Sequence, residues 1–205
     1  METLLAQKII PVLSMDEPQT ALRAVAAMQE GGVNCVEVAL RSTNALRVLE
    51  DVARTFPEMM VGAGTVREVA DFSRITSAGA MFAVSPGSTK VLLDESRRWD
   101  IPYVPAAATV SEILQIMALD FTVIKLFPAG SLGGVKYIKD IAAPLPDVRF
   151  VPSGGVNLDN LGEFLQLESV AAVSGSWMLN AQLVANQDWA GITKVCKASL
   201  VIAAG

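Results

Sequence analysis

Short apolar runs rich in β-branched residues recur along the chain at even intervals. They read KIIPVLS at 8–14, CVEVALR at 35–41, MVGAGTV at 60–66, MFAVSP at 81–86, YVPAAA at 103–108, TVIKLFP at 122–128, RFVPSGGV at 149–156 and VAAVSGS at 170–176. Runs this short and this continuously apolar predict strands covered on both faces. Eight strands are expected.

The segments between them carry helical period and helix punctuation. Pro18 opens a stretch that runs to Glu30 with Gly31 just beyond it, and Ser42 and Thr43 stand before NALRVLEDVARTF, which stops at Pro57. Thr109 and Glu112 have the spacing of a capping box at the head of TVSEILQIMAL, and Asn157 is placed to cap LDNLGEFLQL. Strand follows helix throughout, which calls for a parallel sheet. Eight such units of even length close most simply into a (β/α)8 TIM barrel, a compact single domain over residues 1–205. The alternative is an open, doubly wound sheet.

Composition sharpens this picture in three ways. Apolar residues make up 52% of the 205 and charged ones 18%, ample for a core and against disorder. A formal net charge of -5 with scattered arginines argues against a nucleic-acid partner. The first residues, METLLAQKIIPVLSM, fit neither a secretory signal nor a membrane span, so a cytoplasmic protein without a membrane partner is expected. Cys35 and Cys196 read as buried free thiols rather than a disulfide. Histidine is absent, which removes the commonest general base, the Ser-His and Cys-His dyads and the commonest metal ligand. Chemistry is left to Lys, Glu, Asp, Tyr or the backbone, with neither metal nor cofactor called for.

In a barrel the functional groups come from the carboxyl ends of the strands. Side chains alternate along a strand, so Val36, Val38 and Leu40 meet the helices while Glu37 and Arg41 turn inward. In TVIKLFP, Ile124 and Leu126 pack outward and Lys125 points into the barrel with Val123 and Phe127. An ammonium so placed carries a large desolvation cost unless it meets a carboxylate or gives up its proton, and Glu37 is the candidate partner. The pair is either a structural buried ion pair or a working one. In the second case a neutral lysine attacks a carbonyl to form a Schiff base, and the carboxyl moves protons beside it.

Two glycine turns add a second candidate function. The loops after the seventh and eighth strands are where a barrel commonly holds phosphate, and here they read PSGGVN and SGSW. Gly154, Gly155 and Gly175 let backbone N–H groups approach an anion, and Ser153 and Ser176 add hydroxyls. Glycines that merely close tight turns are the simpler explanation of either loop alone. In GAGTV at 62–66, Thr65 comes to the end of the third strand beside Arg41, which can grip a carboxylate with two N–H groups. Arg41 could equally pair with Glu68 at the rim.

The stretches VEVALRS (36–42), VGAGTV (61–66), AVSPG (83–87), IKLFPAGSLGG (124–134), FVPSGGV (150–156) and SGSWM (174–178) resemble, in order and over nearly the whole chain, the 2-keto-3-deoxy-6-phosphogluconate aldolases, also described as 4-hydroxy-2-oxoglutarate aldolases. The resemblance implies a (β/α)8 barrel, a homotrimer, and metal-free class I aldol cleavage of a small-molecule substrate, yielding a keto acid and a phosphorylated aldehyde. It matches Lys125 to the Schiff-base lysine and Glu37 to the general acid/base acting through water. It matches Arg41 and Thr65 to the carboxylate-binding groups, Pro86 and Phe127 to the pyruvyl pocket, and Gly154, Gly155 and Ser176 to the phosphate cradle. Two positions depart from the family pattern: Ala106 where glycine is common and Ser153 where threonine is common. Both bear on substrate choice. The rival from another class is a phosphosugar-binding barrel without aldol chemistry.

Overall fold

A computed structural model describes residues 1–205, which form one α/β domain whose strands all pair in parallel. The strands are β1 (Ile9–Leu13), β2 (Cys35–Ala39), β3 (Met60–Gly64), β4 (Ala83–Val84), β5 (Tyr103–Val104), β6 (Ala106–Ala107), β7 (Val123–Leu126), β8 (Arg149–Pro152) and β9 (Val173–Gly175). They form a six-stranded sheet in the order β5-β4-β3-β2-β1-β9 and a three-stranded sheet in the order β6-β7-β8.

Nine strands thus replace the expected eight, because Pro105 splits YVPAAA in two. Proline has no N–H to give to a ladder, so the run breaks there. Before the break it pairs with β4, and after it with β7, where the Pro105 carbonyl accepts the Lys125 N–H at 2.8 Å. At the other junction β8 and the chain leading into β9 touch through bridges Phe150 to Val170 and Ser153 to Ser174, with the Ala171 N–H donating to the Phe150 carbonyl at 2.9 Å.

Ten α-helices cover the strands: α1 (Glu2–Leu5), α2 (Pro18–Glu30), α3 (Ala45–Thr55), α4 (Val69–Ser77), α5 (Lys90–Ser96), α6 (Val110–Met117), α7 (Gly134–Ala142), α8 (Leu161–Leu165), α9 (Ala181–Ala185) and α10 (Trp189–Ala204). The Thr109–Glu112 capping box forms as the spacing predicts. Two predicted caps are corrected. α3 starts after Asn44, leaving the Ser42 hydroxyl buried without a partner, and α8 starts after Asn160, with Asn157 capping only the preceding turn. No helix is long and apolar enough to cross a membrane.

The buried residues separate into two apolar clusters as strand alternation requires. Val36, Val38, Ile124 and Leu126 belong to the larger cluster, between strands and helices. Cys35, Val123, Val151, Ile10, Phe82, Val84, Val104 and Ala172 belong to a smaller one on the opposite face of the strands. α1, which the hydrophobic pattern did not announce, inserts Leu4 and Leu5 into that smaller cluster; full burial of such a side chain contributes about 1.5–3 kcal/mol. The interior is therefore sealed with apolar groups toward the strand N-termini, and its polar groups collect toward the C-termini.

Candidate active site

Glu37 of β2 and Lys125 of β7 are both buried, and Nζ stands 3.3 Å from Oε1. The alternation that sends their neighbours outward brings this carboxylate and this amine together across the interior. Ser174 of β9, on the same face as Ala172, donates its hydroxyl to Oε2 at 3.2 Å. Each carboxylate oxygen therefore has one partner. The amine also lies over the Phe127 ring, whose centroid is 5.6 Å from Nζ, within the range of a cation–π contact.

Glu37, Lys125 and Phe127 lie at a cavity of about 370 Å³ over the C-terminal ends of the strands. It is lined by all eleven residues singled out from the sequence: Lys125 and Glu37, Arg41 and Thr65, Pro86 and Phe127, and Ser153, Gly154, Gly155, Gly175 and Ser176. Val12 and Val156 complete the wall. Arg41 is exposed at the mouth and joins no ion pair, so the rim pairing with Glu68 does not form; Glu68 instead opens α4 in a capping box with Asp71. Ala106 lies outside the lining, where its N–H donates to the Ser88 hydroxyl at 2.9 Å. Ser153 is on the wall and almost fully buried.

Thr65 has φ 63°, a left-handed conformation that is rare for a β-branched residue and costs on the order of 1–3 kcal/mol. Gly154 and Gly155 have φ 84° and 85°, where a side chain is strained. The N–H groups of Gly154, Gly155, Val156 and Ser176, all residues of the cavity wall, donate to no protein acceptor. The turn is held from behind. Ala129 and Gly130 donate to the carbonyls of Ser153 and Gly154, both at 2.8 Å, and Asn160 donates its side-chain amide to the Gly155 carbonyl at 2.9 Å. On β9 the Trp177 ring packs on Gly175, and its indole N–H reaches the Ser199 hydroxyl at 3.0 Å.

Sequence reasoning passed over two residues that shape the site. Ser174 was legible in principle, since alternation within VAAVSGS puts it on the interior face. Gly64 is the other: a Cβ there would overlap the Glu37 carboxyl group, so the glycine leaves the space in which that side chain lies. Only the pairing of β2 with β3 reveals this. No group of three or more His, Cys, Asp or Glu side chains is arranged to hold a metal ion.

Chemically, the floor of the cavity can exchange a proton between a lysine and a carboxyl group, and its rim offers an arginine and a set of free N–H donors to anions. A family model described as KDPG and KHG aldolase matches residues 1–195. A 2-dehydro-3-deoxy-phosphogluconate aldolase of Pseudoalteromonas atlantica is 38% identical over 197 residues, 96% of this chain and 92% of that protein. The KHG/KDPG aldolase of Escherichia coli K12 is 38% identical over 189 residues, 92% of this chain and 89% of its own. Among solved structures, a KDPG aldolase from Legionella pneumophila, with pyruvate captured at low pH as a covalent carbinolamine, superposes with TM-score 0.93 at 38% identity over 97% of both chains.

Proposed function

The chain belongs to the KDPG and KHG aldolase family, and we propose that it cleaves a 2-keto-4-hydroxy acid by class I, Schiff-base chemistry at Lys125. The principal substrate is 2-keto-3-deoxy-6-phosphogluconate, giving pyruvate and glyceraldehyde 3-phosphate, as in the Entner-Doudoroff pathway. 4-Hydroxy-2-oxoglutarate, giving pyruvate and glyoxylate, is the second. The observation that carries this reading is the buried Lys125–Glu37 pair at 3.3 Å on the floor of a cavity whose rim bears Arg41 and unpaired backbone N–H groups.

The reaction begins inside that pair. Proton transfer from Lys125 to Glu37 leaves a neutral amine, whose lone pair attacks the C2 carbonyl. The carbinolamine loses its hydroxyl as water, with Glu37 supplying the proton, and an iminium forms. The Glu37 carboxylate then takes the 4-hydroxyl proton through a water molecule. The C3–C4 bond breaks, its electrons pass into the iminium to give an enamine, and the aldehyde leaves. Protonation of the enamine at C3 and hydrolysis of the resulting iminium release pyruvate and restore the lysine.

Arg41 and the Thr65 hydroxyl take the pyruvyl carboxylate, and Phe127 and Pro86 flank the reacting carbons. The N–H groups of Gly154, Gly155 and Ser176, with the Ser153 and Ser176 hydroxyls and the turn at Gly175, take the phosphate, charge-assisted bonds being the stronger kind. In this reading the two sheets are arcs of one eight-stranded barrel, 103–107 counting as a single strand broken at Pro105. The protein is a cytoplasmic homotrimer of single-domain chains, an assembly that light scattering tests.

Borohydride reduction with pyruvate, followed by peptide mass spectrometry, tests the chemistry. The expected product is a pyruvyl adduct on Lys125. Folded protein that binds inorganic phosphate yet forms no adduct would favour a phosphosugar-binding barrel.

A further inference from the structure

We infer that Ser174 is a positioning residue for the acid/base step. This inference rests on the aldolase reading above. Ser174 lies in β9 in register with Ile10 of β1 and bridges to Ser153, and only 1% of its surface is exposed. It is absent from the cavity lining and so has no access to substrate. Its one side-chain hydrogen bond is the 3.2 Å donation to Oε2 of Glu37.

That bond addresses a specific geometric weakness. The terminal torsion of a glutamate is a broad sp³–sp² rotation, and neither backbone nor rotamer preference fixes the roll of its carboxylate. In this site the roll decides which oxygen faces Lys125. The ammonium holds Oε1, the missing side chain at Gly64 leaves the carboxyl group its space, and the Ser174 hydroxyl anchors Oε2. No other protein donor reaches the carboxylate; the Cys35 thiol, two residues away in β2, donates instead to the Ile9 carbonyl at 3.3 Å.

The anchor matters most once the free ammonium is gone. As an iminium to substrate Lys125 keeps its charge but has one N–H where the ammonium had three. Ser174 is then the tether that stays unchanged and keeps Glu37 aimed while it moves protons at the substrate. Removing the hydroxyl leaves Oε2 a buried acceptor without a partner and lets the carboxylate rotate away from its line of action. The loss falls on the rates of the proton-transfer steps that Glu37 serves, and not on substrate binding or on the final yield of the Lys125 adduct.

The test compares wild type with Ser174→Ala and with Ser174→Cys, which keeps the space filled but offers only a weak donor. Each is measured by steady-state cleavage of 2-keto-3-deoxy-6-phosphogluconate, borohydride trapping with saturating pyruvate, and circular dichroism. Because misplacement on the scale of an ångström costs up to about a hundredfold in rate, both variants are expected to lose about tenfold to a hundredfold in kcat. KM should stay within about threefold, and the trapped Lys125 adduct should match wild type, as expected when only a transition-state interaction is lost. A kcat for both variants near that of wild type overturns the inference. So does a fall in kcat and trapping together, in step with the folded fraction, which makes Ser174 a packing residue only. Absence of the adduct in wild type overturns the aldolase reading itself, and this inference with it.

Discussion

Gly64 pairs with Ala39 in the β2–β3 ladder, diagonal to Glu37, and a Cβ placed on it would stand 2.6 Å from Cγ of the glutamate and overlap its nearer carboxylate oxygen. Real Cβ atoms do not approach so closely, and the glutamate is buried, with open space only on its cavity side. Gly64→Ala must therefore push the carboxylate off its line to Lys125. Overpacking of this kind costs about 1–3 kcal/mol of stability. The same displacement should lower kcat at least tenfold, since a shift near an ångström costs up to about a hundredfold. Steady-state kinetics and urea unfolding read the two effects separately; a variant with wild-type kcat would show that the position of Glu37 is not critical.

Lys125→Met should abolish turnover and also destabilise the fold. Both members of the pair are nearly inaccessible, at 7% and 2% side-chain exposure, so deleting the cation leaves Glu37 buried and uncompensated. Breaking such a pair typically costs about 3–5 kcal/mol. Lys125→Met combined with Glu37→Gln removes the stranded charge, so the double variant should be more stable than Lys125→Met alone. Urea melts of wild type, both single variants and the double form the cycle that measures this coupling. Additive effects would mean that the two groups do not interact.

Free N–H groups at Gly154, Gly155 and Ser176 predict preference for a phosphorylated aldehyde. In the condensation direction glyceraldehyde 3-phosphate should outperform glyoxylate as acceptor of pyruvate. Ser176→Ala removes one hydroxyl from the cradle and should raise KM for the phosphorylated substrate roughly tenfold, a hydrogen bond to a charged group contributing about 1.5–3 kcal/mol. Equal efficiency for the two aldehydes would show that the turn no longer selects phosphate.

Burial pushes the Cys35 thiol up to about 12, helped by the nearby Glu37 charge, and burial alone pushes Cys196 up to about 12 as well. Both thiols are free and remain protonated at pH 8, so a thiol-specific disulfide reagent should label the native enzyme no faster than it unfolds. The linkage has a definite sign. Between the ordinary thiol value near 9.0 and about 12 the unfolded chain releases these protons while the folded chain keeps them, so stability falls as pH rises through that window. Denaturant midpoints measured from pH 8 to 11 should fall progressively, and less so in Cys35→Ser. Rapid labelling of native protein would place a thiol at the surface.

Much of the site is legible in two short strings. In CVEVALR and TVIKLFP the twofold alternation of a strand sends Val36, Val38, Ile124 and Leu126 to the helices and therefore Glu37 and Lys125 to the interior. Serines beside glycines in PSGGVN and SGSW mark the two turns that line the cavity, because backbone without side chains at a strand end can come close to whatever fills the space. These are local properties, carried by residues close together in the chain.

What the tertiary structure decided depends on residues far apart. Glu37 and Lys125 are 88 positions from each other, and only the wrapping of β2 and β7 around a shared interior makes them a pair. The Ser174 hydroxyl comes from further still, 137 positions from Glu37. Gly64 reads as an ordinary strand-end glycine until β3 lies beside β2 and its missing side chain becomes the space Glu37 occupies. The change of partner at Pro105, from β4 to β7, and the plug formed by Leu4 and Leu5 likewise follow from which strand lies next to which and how wide a gap remains at the end. Chain periodicity determines which way each side chain points; the distances at which those side chains meet are set by packing and register, which no local pattern encodes.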